Sequence, residues 1–276
     1  HPVAHSFPTR RSSDLWLPGF STGVDVKWRS FDNQWEDLET NVVWNEVGDN
    51  SLGFKNGKSE FIFDLETPEE AYRRYLALTL FARKFVGNWQ VMASYTWSRS
   101  EGTVSEGFAT VFLDRARQVD FFDGYLPDDR RHVVKATGWY RLPWDLTIGG
   151  SVWVGTGTPY DKLYFNSFFN DYNDRRAPRG YDPGDLSTPE DDTELRTPTR
   201  LAFDLKITYR LRALTEILFG APQNMELIGE IFNVVNMRTA TRFEDRNLPA
   251  GASTQWNDIL DRQNPFRVRF GLRYRY

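Results

Sequence analysis

The last eleven residues, FRVRFGLRYRY from Phe266 to Tyr276, alternate strictly: Phe266, Val268, Phe270, Leu272, Tyr274 and Tyr276 fall on one parity, and Arg267, Arg269, Arg273 and Arg275 on the other. Period two is the signature of a β-strand. Four arginines on one face and six apolar or aromatic residues on the other suit a wall between an apolar medium and water. The wet face of an ordinary open sheet usually mixes charge signs. Eleven residues at about 3.3 Å each, tilted about 45°, rise about 25 Å, the height of the apolar band of an outer-membrane barrel. This stretch alone leaves open the last strand of a soluble β-sandwich.

The same alternation recurs along the chain and predicts about eight strands. Thr22 to Ser30 sets Val24, Val26 and Trp28 against Asp25, Lys27 and Arg29. Arg74 to Phe85 sets Leu76, Leu78, Leu80 and Ala82 against Ala77, Thr79 and Arg83, with Lys84 breaking the rule at the end. Val86-Gly87-Asn88 turns the chain into Trp89 to Ser98, where Val91, Ala93, Tyr95 and Trp97 oppose Gln90, Ser94 and Thr96. Arg131 to Leu142 and Leu146 to Thr156 form a second pair around Pro143-Trp144-Asp145. Arg200 to Arg210 and Met225 to Val235 form a third. In the last of these Glu226 and Glu230 take the polar side with Phe232 on their parity, which predicts either a bulge or a packed aromatic there.

The connections alternate short and long, as in barrels with short periplasmic turns and long outer loops, whereas several long structureless loops are unusual in a soluble domain. Phe85, Trp89, Tyr140, Trp144, Tyr209, Tyr274 and Tyr276 fall on the short-turn side and are expected to form an interfacial aromatic girdle. The fold class is therefore all-β: an antiparallel up-and-down transmembrane barrel segment with apolar parity to lipid and charged parity to a wet lumen. In that arrangement Arg267, Arg269, Arg273 and Arg275 face the lumen and can pair with Glu226 and Glu230 on the neighbouring strand, fixing register.

Composition narrows the chemistry. The 276 residues contain no cysteine, ten tryptophans and a net charge of −4, so disulfides, thiolate metal sites and cysteine nucleophiles are excluded, and no basic block points to nucleic acid. No run of 18 apolar residues offers a membrane helix, but a mean hydropathy of −0.57 is compatible with strands that expose apolar residues only at alternate positions. Ser6 to Leu15, SFPTRRSSDL, resembles a translated sequencing adapter and no signal peptide, so residues 1–15 are set aside as non-native and 16–276 carry the fold.

Several motif-like stretches carry no chemistry. Gly53 to Ser59, GFKNGKS, has the wrong spacing for a phosphate loop and reads as a turn; Gly155 and Gly157 lack the helix and third glycine of a dinucleotide site. Beyond the adapter, His132 is the sole histidine, too little for a triad or a histidine-rich metal site, and suggests a structural role at a strand entry. Thr67-Pro68-Glu69-Glu70 has the form of a capping box and predicts a short helix. Asp191, Asp192 and Glu194 have the composition of a calcium loop or of a solvated one. No catalytic constellation, metal site or cofactor site emerges, so the chain is not expected to be an enzyme. Phe165, Phe168, Phe169 and Tyr172 in a long loop are candidate ligand contacts.

Specific blocks carry a resemblance: AYRRYLALTLFARKF followed by NWQVMASYTWSRSEG, DDRRHVVKATGWYRLPW with a later GTGTPY, FDLKITYRL, LIGEIFNVVN, and a final strand closing on an aromatic like the assembly signal of bacterial outer-membrane barrels. Together, from about Phe20 to Tyr276, they resemble the C-terminal barrel of a TonB-dependent outer-membrane receptor, near the Oar-like group found with carboxypeptidase-regulatory-like domains. The resemblance implies a 22-stranded barrel closed by a plug and energised import of a ligand such as a siderophore, cobalamin or oligosaccharide. Implied partners are outer-membrane lipid, the barrel-assembly machinery, TonB through the plug, and the imported ligand, all in the outer membrane of a Gram-negative bacterium. Neither plug nor TonB-engaging motif lies in the sequence, so a segment of a longer receptor is expected. A passive porin-like or structural outer-membrane barrel is the alternative, and a soluble β-sandwich binding module the third reading.

Overall fold

The computed structural model describes residues 4–6, 14–17, 19–45, 51–104, 122–167, 170–174, 176–181, 194–221 and 224–275. Short β1 (Ala4–Ser6) and β2 (Asp14–Leu17), within the adapter-like stretch and its border, lie along one edge of β3 (Phe20–Phe31). The loop after β3 carries β4 (Glu36–Glu39), β5 (Val42–Trp44), β6 (Ser51–Phe54) and β7 (Phe63–Glu66), paired as β4 with β7 and β5 with β6. The wall continues through β8 (Arg73–Val86), β9 (Trp89–Gly102), β10 (His132–Arg141) and β11 (Leu146–Gly155). A loop hairpin of β12 (Tyr164–Asn166) and β13 (Asp171–Asp174) precedes β14 (Arg200–Arg210). Helix α1 (Arg212–Phe219) leads to β15 (Asn224–Phe232), a second loop hairpin of β16 (Ala240–Phe243) and β17 (Ile259–Arg262), and β18 (Arg267–Arg275).

The long strands form one antiparallel meander in the order β3-β8-β9-β10-β11-β14-β15-β18. Residues directly opposite one another in an antiparallel pair share a face. Val26 therefore aligns with Leu78, Leu78 with Trp97, Tyr140 with Ile148, Ile148 with Ile207, and Leu227 with Leu272. The parity in each strand adds up to one continuous apolar face. It is exposed, from Val26 at 54% to Phe270 at 78%, and no second sheet covers it among the described residues. A sandwich would bury that face; the meander presents it outward, as a transmembrane barrel wall does. No described helix is long and apolar enough to cross a membrane, so any crossing here is by strands.

The turns explain the short connections. Gly87, at φ 52°, is the first central residue of the two-residue link that pairs Val86 with Trp89, a position that demands the left-handed region. Trp144 and Asp145 both adopt positive φ, at 65° and 58°, and Asp145 is held there by accepting the Arg210 N–H at 3.1 Å.

The buried residues lie elsewhere. Ala71, Val104 and Phe122 form a small cluster beneath the long loops, and Leu126, Asp129 and Glu244 are also buried in the loop layer. The wall lacks a core because its apolar face is the outside. The long loops, expected to be structureless, instead hold four two-stranded ladders: β4–β7, β5–β6, β12–β13 and β16–β17. The expected helix at Thr67 does not form. The segment makes a single turn closed by the Ala71 N–H on the Pro68 carbonyl at 3.1 Å, because Ala71 and Tyr72 are already committed, to Gln34 and to Thr103, at the entrance to β8.

Candidate functional site

Two polar regions stand out: the charged face of the wall, and the loop layer at its long-loop end. On the wall, Lys206, Glu230 and Arg269 are opposite one another across β14, β15 and β18, and so are Arg210, Glu226 and Arg273. Each carboxylate thus has a cation on both sides. Lys206 donates to Glu230 at 2.8 Å and Arg269 pairs with the same carboxylate; Arg210 and Arg273 each reach Glu226 at 3.4 Å. Ile228, between the two rows on the same face, is buried. The Arg267 guanidinium lies 4.8 Å over the Phe232 ring, with Arg269 also over it at 5.6 Å. Phe232 is therefore a packed aromatic, and the β15–β18 register runs through it without a bulge. Arg275 stands opposite Asn224.

The polar face is not polar throughout. Phe81 lies across Gly23, where a Cβ would strike its ring, and Trp153 similarly covers Gly155, so aromatic rings fill the gaps that glycine leaves. Phe85 also belongs to this face: it pairs with Gln90 and meets Trp139 edge to face at 6.3 Å. This departs from the expectation that it joins the girdle. Successive residues at a strand end remain on opposite sides, and Phe85 has the parity of Arg83. Trp89, Tyr140, Tyr209 and Tyr274 keep the apolar parity at the short-turn end, with Trp144 at the tip of its turn and 78% exposed. Tyr276 lies outside the described residues. A second aromatic layer, of Trp28, Tyr95 and Trp97, occupies the apolar face towards the loops, legible from parity but not singled out in the sequence.

At the loop end, each residue of DDRRH has a partner. Asp128 accepts from Arg73 at 2.6 Å and from the Ser100 hydroxyl at 3.2 Å. Asp129, fully buried, accepts the Ser100 N–H and an Arg196 N–H, both at 2.7 Å, with Arg131 at 3.8 Å. Arg130 donates to the Thr156 carbonyl at 2.6 Å and lies over Trp153. Arg131, Arg196 and Arg99 surround the Tyr125 ring at 4.8, 4.9 and 5.5 Å. His132 opens β10 with its Nδ1 2.8 Å from the Tyr95 hydroxyl and its N–H on Thr156 Oγ1. GTGTPY runs beside this cluster: Gly157 packs against the Thr197 carbonyl where a side chain would not fit, and Thr158 donates its N–H to Thr197 Oγ1 at 3.0 Å.

The two asparagines of FNVVN perform the same service for the last loop. Asn233 and Asn236 take φ of 50° and 54°. Asn233 donates to the Met237 and Asn264 carbonyls at 2.8 and 2.7 Å and accepts the Met237 N–H; Asn236 accepts the Phe266 N–H at 3.0 Å. The loop between β15 and β18 is thereby strapped to the start of the final strand.

Between these loops lies a cavity of about 250 Å³ lined by Tyr125, Tyr160, Asp161, Arg242, Phe243 and Asp245 among others. Tyr160 and Phe243 stack at 5.1 Å. Asp161 accepts the Gly180 N–H at 3.0 Å, and burial pushes the Asp245 carboxyl up. Next to it, hydrogen bonds from Arg246 hold the Glu244 carboxyl down at about 2. Stacked rings beside two carboxylates and a guanidinium can bind a small polar ligand, through ring faces and directed hydrogen bonds. Of the candidate contacts, Phe165 and Tyr172 pack against each other at 5.2 Å across β12–β13 and do not line this cavity; Phe168 and Phe169 lie outside the described residues. Asp191 and Asp192 also lie outside them, and Glu194 pairs with Arg196. Among the described residues no group of three or more His, Cys, Asp or Glu could hold a metal.

The meander, its outward apolar face and its alternating short and long connections define an antiparallel up-and-down transmembrane barrel segment. Among solved structures the chain is similar to the outer membrane transporter YddB from Escherichia coli, with a TM-score of 0.56 and 9% identity over 94% of this chain and 30% of that one. It is similar also to the siderophore receptor PiuA from Acinetobacter baumannii, with a TM-score of 0.56 and 11% identity over 99% of this chain and 28% of that one. The chain thus spans under a third of the length of these transporters and receptors. No protein-family model and no curated protein matches it.

Proposed function

We propose that the chain is the C-terminal part of the barrel of a TonB-dependent outer-membrane receptor, of the Oar-like group, that imports a ligand under energy supplied through a plug domain. The observation that carries this reading is the separation of faces: a continuous exposed apolar surface on one side and carboxylate–cation rows on the other, in a sheet with the fold of part of YddB and PiuA. In this reading the apolar face meets lipid, and the Glu226 and Glu230 rows line the lumen beside the plug. Trp89, Tyr140, Trp144, Tyr209, Tyr274 and Tyr276 mark the periplasmic interface, β18 carries the assembly signal read by the barrel-assembly machinery, and the loops face outward. The loop cavity at Tyr160, Asp161, Phe243 and Asp245 is the ligand contact favoured by its geometry, ahead of Phe165 and Tyr172, which are occupied with each other. Siderophores, cobalamin and oligosaccharides remain the candidate ligands.

The test is twofold. The whole gene is expected to encode a plug with a TonB-engaging segment ahead of the barrel, and the whole protein to fractionate with outer membranes and require detergent for release. Uptake that persists after loss of TonB would replace the receptor with a passive porin. Release into buffer without detergent would remove the membrane reading altogether.

A further inference from the structure

Helix α1, in the connection between β14 and β15, is nearly all surface. Leu214, Ile217 and Leu218, spaced i, i+3 and i+4, form one apolar stripe that is 46%, 81% and 63% exposed. Arg212 and Glu216 fall on the other side, and Thr215 is the buried residue of the helix. Gly220, at φ 72°, ends the helix in a left-handed cap. The helix is tied to the short-turn end of the wall: the Leu211 N–H bonds the Met225 carbonyl at 2.9 Å, and Arg212 is 3.8 Å from the Asp145 carboxylate beside exposed Trp144. It therefore stands at the level where Tyr209 and Tyr274 end the apolar wall.

We propose that α1 is an interfacial helix, bedding the Leu214, Ile217 and Leu218 stripe into the phospholipid leaflet at the short-turn end of the barrel. The proposal rests on the lipid-facing reading of the wall. Two arguments select phospholipid as the occupant. The helix leaves β14 and leads into β15 at the level where their apolar face ends in Tyr209 and Tyr274, so its exposed stripe lies at the edge of that surface. Eight residues at about 1.5 Å each make a helix of about 12 Å, too short to span but fit to lie in the plane of the interface.

This chain has no cysteine, so a cysteine introduced into it is unique within it, and any cysteine elsewhere in the whole receptor is replaced by serine first. Nitroxides would be attached to Ile217→Cys, Glu216→Cys and, on the wall, Val268→Cys, in the whole receptor reconstituted in phosphatidylethanolamine vesicles containing phosphatidylglycerol. Relaxation by oxygen and by a water-soluble nickel chelate then reports immersion. The expected result is an oxygen-to-chelate ratio at position 217 severalfold above that at 216 and similar to that at 268. If 217 is as open to the chelate as 216 while 268 is immersed, α1 faces water or a protein partner and the proposal fails with the wall reading intact. If 268 is also open to the chelate, the wall reading fails and takes the proposal with it.

Discussion

Asp129 shows how much a single side chain settles in this molecule. Its carboxylate has no exposure and joins the end of β9, through the Ser100 N–H, to Arg196 on the far loop and Arg131 on its own. Removing Asp129 takes one of the two carboxylates of Arg196 and leaves Glu194, so the loss is below the about 3 to 5 kcal/mol of a buried charge left wholly uncompensated. Asp129→Ala is therefore expected to lower the thermal midpoint of the detergent-solubilised receptor and to open the loops between β9 and β10 and before β14 to protease, while leaving membrane insertion intact. Unchanged proteolysis would mean that Arg196 finds equivalent acceptors in the Asp129 and Gly157 carbonyls it already touches. The sequence offers DDRRH as a block without revealing its division of labour. Asp128 and Asp129 share Ser100 of β9, Arg130 and His132 share Thr156, and these partners, with Arg73 and Arg196, lie 24 to 67 positions away along the chain.

At the scale of elements, legibility follows the physics of the period. The wall strands are readable because lipid on one side and water on the other act on every second residue; β14 spans Arg200–Arg210, as alternation alone predicts. The loops answer to no such field. Their ladders pair short segments through side-chain acceptors such as Glu39, which takes the Asn41 and Val42 N–H groups, and no periodicity announces this. No sequence signal announces helix α1, because its apolar stripe is short and sits where a turn is expected, and Phe85 stands at the height of the girdle but on the opposite parity. The β16–β17 hairpin supplies a pH test. Glu244 is held at about 2, below its ordinary 4.5, chiefly by hydrogen bonds from Arg246, with Thr254 adding another. A depressed carboxyl stabilises above its unfolded pKa and loses that contribution as pH falls through the folded value. Hydrogen exchange in this hairpin should be steady from pH 7 to about 4.5 after correction for intrinsic rates, then loosen as pH drops towards 2. Glu244→Gln should weaken the hairpin at neutral pH and flatten the acid response.

For the whole molecule the decisive matter is which face meets lipid, and the final strand tests it with adjacent residues. Phe270 is 78% exposed on the apolar face, opposite Gly229, whereas Arg269 pairs with Glu230 on the charged face. A cation near the middle of the bilayer costs a barrel about 2 to 4 kcal/mol, while changes in the lumen cost little. Phe270→Arg should therefore reduce outer-membrane insertion strongly. Arg269→Ala should insert almost normally, because Lys206 remains to neutralise Glu230. Insertion is read by the shift in electrophoretic mobility on heating and by detergent fractionation of outer membranes. A tolerated Phe270→Arg together with a failed Arg269→Ala would exchange inside for outside. Since one register runs from β3 to β18, that single reversal would turn every strand of the wall at once.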